Sequence, residues 1–112
     1  MNQFIHYIND TIEQLQKEEQ ELIQSERKDE ANFVRIKMNI CDICRTIYNV
    51  TEKRTTPDNL KEEYRKQLTR LPENWKISLE KAQEHGEVEK IVIEETKLEM
   101  LNQILGVFEQ MM

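Results

Sequence analysis

The stretch FVRIKMNICDICRTIYNV, residues 33–50, sets Phe33, Ile36, Ile40, Ile43, Ile47 and Val50 three and four positions apart. A helix turns once in 3.6 residues, so this alternation gathers all six on one stripe, whereas a half-buried strand would be apolar at every second residue. The same spacing runs upstream through Met1, Ile5, Ile8, Ile12 and Leu15 and, after a polar gap, Leu22. A stripe of this length belongs to a helix that lies along other helices. The expected fold class is therefore all-α.

Working outward, the periodicity predicts a first helix from Asn2 to Ser25 and a second from Asp29 to Glu52. Their junction, Gln24–Asn32, is polar except for Ala31 and has neither Gly nor Pro. It reads either as a tight turn or as the exposed middle of one long helix. Charge favours the turn. Residues 1–30 carry eight acids and three bases, and residues 31–57 carry five bases and two acids. Side by side these blocks attract, whereas end to end they are screened beyond about 10 Å at ordinary salt. The expectation is a long helical hairpin, with Ser25 or Asp29 capping the second helix.

Thr56-Pro57-Asp58 marks the next boundary. Beyond it Leu60, Tyr64, Leu68, Leu71, Trp75, Leu79 and Ala82 keep a spacing of three or four straight through Pro72. Proline has no N–H and its ring clashes with the carbonyl four residues back, here that of Leu68, so the segment should kink or break there. His85-Gly86 supplies a stop, with Gly86 able to take the left-handed cap conformation. A last helix, Glu87–Gln110, is expected to turn Val88, Ile91, Val92, Leu98, Leu101, Leu105 and Phe108 inward. The layout expected is a four-element up-down bundle forming one domain over residues 1–112.

Composition narrows the function classes. The chain has 112 residues, 34% charged and 38% hydrophobic, with only two Gly and two Pro. A net charge of −6 argues against a nucleic-acid binder, whose affinity comes from Lys and Arg neutralising phosphates. No apolar run approaches the roughly 20 residues that span a bilayer, and no basic-then-apolar leader is present, so a soluble cytoplasmic protein is expected. Two serines, Ser25 and Ser78, and two glycines provide neither a nucleophile elbow nor a phosphate-cradling loop.

The groups that could carry chemistry are few. Cys41-Asp42-Ile43-Cys44 has the spacing of a redox pair or of half a zinc site, yet it lies mid-helix, away from the helix N-terminus that lowers a thiol pKa, and no second Cys pair exists. Small buried hydrophobes are the expected role. Among the carboxylates, Glu19, Glu26 and Glu95 interrupt apolar stripes, as does Asp29 at the junction. Buried acids must be paired, protonated or bound to metal, so Glu19, Glu26 and Glu95 are, with Cys41 and Cys44, the weak candidates for a metal site. Neither His6 nor His85 lies three residues after a Glu, so the Glu-x-x-His motif of bundle di-metal centres is missing. Tyr7, Tyr48, Tyr64 and Trp75 read as single core or edge residues.

No cofactor is expected. Phe4, Ile23, Val34, Met38 and Tyr48 flank the main stripes, and a short chain can hardly cover them all. The expected function is thus a homo-oligomeric interaction or scaffold module, most simply a coiled-coil-like homodimer, and more readily a non-enzyme than an enzyme. The alternatives are a small metal-dependent enzyme with a carboxylate-lined site and an acidic regulator that covers a basic partner surface.

Overall fold

The computed structural model describes residues 2–112, and Met1, counted above in the first stripe, lies outside the described residues. Five helices occur among the described residues, with no strand: α1 (Asn2–Gln24), α2 (Lys28–Arg54), α3 (Leu60–Arg70), α4 (Glu73–Glu84) and α5 (Val88–Met111). They form an all-α bundle of 45 × 35 × 22 Å in which α3 and α4 are the two halves of one bent segment. Pro72 supplies the bend: it takes the N-cap position of α4, and its carbonyl accepts from the Lys76 N–H at 2.9 Å, restarting the helix it interrupted.

The 24–32 junction is a turn. The Arg27 N–H donates to the Leu22 carbonyl at 2.8 Å and the Glu26 N–H to that of Ile23 at 3.1 Å, a Schellman closure with Glu26 at φ 60°. The same closure recurs at Gly86, φ 65°, where the Glu87 N–H reaches the Ala82 carbonyl at 2.9 Å, so the expected left-handed glycine is present. The N-cap expected at Ser25 or Asp29 falls on Arg27 instead. The Schellman turn consumes Ser25 and Glu26, the Ser25 hydroxyl turns back to the Glu21 carbonyl at 2.9 Å, and Asp29 enters the first turn of α2. Across the hairpin, Arg35 Nε donates to Glu19 at 2.6 Å and Arg45 to the Asn9 side chain at 2.9 Å. Among the described residues the opposed charge blocks thus meet in one cross-helix ion pair.

The core differs in phase from the expected stripes. Phe4, Ile8 and Leu15 of α1 are buried, while Ile5 and Ile12 are only partly covered. On α2 the buried set is Ala31, Val34, Ile40, Cys41, Cys44, Tyr48 and Thr51, while Phe33, Ile36, Ile43 and Ile47 are half-buried and Val50 is 41% exposed. At 100° per residue this buried face lies about 100° round the helix from the isoleucine row and shares only Ile40 with it. On α5, Met100, Leu101, Ile104 and Phe108 are buried, whereas Val88 and Val92, expected inward, are 70% and 40% exposed. The two buried threonines, Thr51 and Thr96, each return the hydroxyl to the carbonyl four residues back at 2.7 Å, which lets them sit inward without an orphan donor.

One end of the bundle is aromatic. Phe4, Tyr48, Tyr64 and Phe108, one from each of α1, α2, α3 and α5, have ring centroids 5.3–6.3 Å apart in tilted or edge-on pairs. Tyr48 and Tyr64, expected to stand singly, are members of this cluster, and Tyr7 stacks on Phe4 at 6.4 Å. Such pairs add about 0.5–1.5 kcal/mol each beyond the area they bury. Arg65 closes the same end: its Nε and Nη2 grip both oxygens of Glu109 at 2.7 and 3.0 Å, and its guanidinium lies 5.8 Å from the Phe108 ring centroid.

Candidate functional site

The Cys-x-x-Cys pair stands on the inward face of α2, and both thiols are fully buried. Burial pushes Cys41 up to about 11, offset in part by Arg45, and Cys44 up to about 12, with Cys41 adding to the rise. A thiol that high stays protonated at neutral pH and is a poor nucleophile. The Cys44 carbonyl, meanwhile, accepts the Tyr64 hydroxyl at 2.8 Å. This part of α2 is therefore packing and anchorage.

The candidate carboxylates do not converge. Glu19 is 12% exposed along its side chain and held by Arg35, Glu26 is the left-handed residue of the α1–α2 turn, and Glu95 is exposed on α5. No group of three or more His, Cys, Asp or Glu side chains is placed to hold a metal ion among the described residues.

Glu95 was expected on the inward stripe, but the residue that points inward is Glu94, 8% exposed. Apolar residues ring the first half of α5 on almost every side, so periodicity alone leaves its phase open. The buried positions Leu101, Ile104 and Phe108 fix it, because Glu94 falls in line with them and Glu95 lies across the helix. Lys97 donates to Glu94 Oε1 at 3.2 Å, and its ammonium also stands 5.8 Å from the Trp75 ring centroid on α4. Glu94 Oε2 is buried with no hydrogen-bond partner among the described residues.

The fold leaves part of its apolar surface uncovered. Half-buried Phe33, Ile36, Ile43 and Ile47 lead along α2 to exposed Val50. A hollow of about 360 Å³ opens at the Phe33 end between α2 and α5, with Asp29 and Glu89 on its rim. A second, of about 300 Å³, opens at the Val50 end between α2 and α3, beside Arg54 and Glu63. Ile36 borders both the first hollow and the trough between α1 and α2. Sequence reasoning found these residues but placed them in the core.

No helix among the described residues is long and apolar enough to cross a membrane. No protein-family model, curated protein or solved structure matches the chain.

Proposed function

We propose that this chain is an interaction module that works by self-association. The observation that carries the reading is the second apolar row of α2: Phe33, Ile36, Ile43, Ile47 and Val50 are only partly covered although α2 already has a complete core face. Contiguous apolar surface of this kind is kept where another protein covers it. Phe4, Val34 and Tyr48, named above as residues a partner would cover, give no support, because they are buried within the chain itself. The scattering of Glu19, Glu26 and Glu95 weighs against the carboxylate-lined enzyme. Light scattering on the intact protein at tens of micromolar, in the affinity range of transient complexes, should return at least twice the chain mass. A strict monomer overturns the reading.

A further inference from the structure

We infer that the occupant of the α2 row is the α2 row of a second copy, running antiparallel. This rests on the self-association reading and names the surface and the partner. Phe33, Ile40 and Ile47 recur every seven residues, as do Ile36, Ile43 and Val50, so the row is the a and d seam of consecutive heptads. From Phe33 to Val50 it runs about 26 Å at 1.5 Å per residue.

The flank of the row carries Asn32, Asn39 and Thr46, again seven apart and uncharged. Along that flank two chains of net charge −6 can approach without bringing like charges together, and the opposite flank carries the single cation Lys37.

The ends of the seam decide its direction. One heptad position before Ile36 in the d series stands Asp29, and one after Ile47 in the a series stands Arg54. Both are exposed, and neither forms an ion pair among the described residues. In an antiparallel pair a residues lie beside d residues: Phe33 beside Val50 of the second copy and Ile36 beside its Ile47, while Ile40, buried in its own core, backs the middle of the seam behind Ile43. That register sets Asp29 beside Arg54 of the second copy, and twofold symmetry repeats the match at the other end. Glu89, on the rim of the same hollow as Asp29, adds to the negative end. Glu63, beside Arg54, is occupied by Lys66 at 3.3 Å. A parallel pair would instead set Asp29 against Asp29 and Arg54 against Arg54, which disfavours it.

The test is sedimentation equilibrium on the full chain and on variants whose folding is checked by circular dichroism. Asp29→Arg and Arg54→Asp should each weaken self-association about tenfold, because each turns two attractive pairs repulsive, and the double exchange should return to within about threefold of the parent. Val50→Asp, at a site already exposed, should dissociate the pair without unfolding it. The outer valines provide the control, and Val88→Glu with Val92→Glu should leave association intact. Asp29, Arg54 and Val50 variants that all associate like the parent, while the Val88→Glu, Val92→Glu variant dissociates, overturn the α2 seam and leave self-association standing. A double exchange as weak as its singles overturns the antiparallel register. A parent chain that stays monomeric overturns both the inference and the reading beneath it.

Discussion

The Tyr64 hydroxyl on α3 donates to the Cys44 main-chain carbonyl on α2 at 2.8 Å, inside the bundle and out of reach of water. The carbonyl lies in the middle of a helix, so its second lone pair is the one used. The bond joins the bent α3–α4 segment to the helical hairpin at the centre of the aromatic cluster. Burial, with Cys44 and Tyr48 close by, drives the phenol far above its ordinary range, so the hydroxyl keeps its proton at any pH the fold survives.

Tyr64→Phe removes that donor and leaves the ring. The loss of a buried hydrogen bond should cost about 1–2 kcal/mol. Urea denaturation followed at the aromatic bands should show a lower midpoint with an unchanged slope. No change in midpoint would show that the bond adds nothing beyond the packing of the ring.

The cysteines predict a pH dependence whose sign follows from their raised pKa. In the unfolded chain a thiol ionises near 8.5, whereas in the fold Cys41 and Cys44 hold their protons to about 11 and about 12. Their contribution is complete below pH ~8.5 and is lost as the pH climbs towards the folded values. Melting temperature should accordingly fall between pH 8.5 and 10.5, and the fall should be shallower when both cysteines are replaced by Ala. That variant should be about 1–3 kcal/mol less stable at neutral pH, the cost of small buried volumes. A maleimide reagent at pH 7 should label the native thiols far more slowly than the unfolded ones.

Much of the bundle was legible in the sequence because its signals are local. Pro72 had to interrupt its helix, Gly86 had to cap one, and the opposed charges of residues 1–30 and 31–57 pointed to the hairpin that Arg35 and Glu19 now join. The phase of each helix was not local. Residues 33–50 carry enough apolar side chains for two faces, and regular spacing marks the isoleucine row more strongly than Val34, Cys41, Cys44 and Tyr48, although the latter are the ones α1, α3 and α5 cover. The aromatic cluster could have been read. Phe4 opens the first helix, Tyr48 nears the end of the second, Tyr64 opens the third and Phe108 nears the end of the last, so all four stand towards helix ends.

Glu26 predicts a stabilising change. A side chain at φ 60° carries a penalty of roughly 1–2 kcal/mol that glycine avoids, partly offset by the greater freedom of glycine in the unfolded chain. Glu26→Gly should raise stability by about 0.5–1 kcal/mol, a few degrees in melting temperature. Gly86→Ala should move it the other way by a comparable amount, from backbone strain alone, since an added Cβ would meet no atom within 4 Å. Thermal melts of the two single variants, shifting in opposite directions, would confirm that the two turns share one geometry.

Glu94 and Glu95 separate burial from charge within two adjacent residues. Glu95 is exposed, so Glu95→Leu should change stability by less than about 0.5 kcal/mol. Glu94 is a different case. Its Oε1 receives one bond from Lys97 at 3.2 Å, and its Oε2 is buried with no partner among the described residues, so desolvation of the carboxylate is only partly compensated. Replacing an incompletely paired buried charge by an apolar residue of similar volume is often neutral or stabilising by 1–4 kcal/mol. Glu94→Leu should therefore raise the denaturation midpoint. Lys97, 28% exposed along its side chain, keeps both solvent and the Trp75 face, so it is not left as a second buried charge. The opposite result, a loss of several kcal/mol in Glu94→Leu with Glu95→Leu unchanged, would mean that the carboxylate holds α4 to α5 through Lys97 and Trp75. Lys97→Met tests that directly, for it would then lose as much as the Glu94 variant, and the two changes combined would cost little more than either alone.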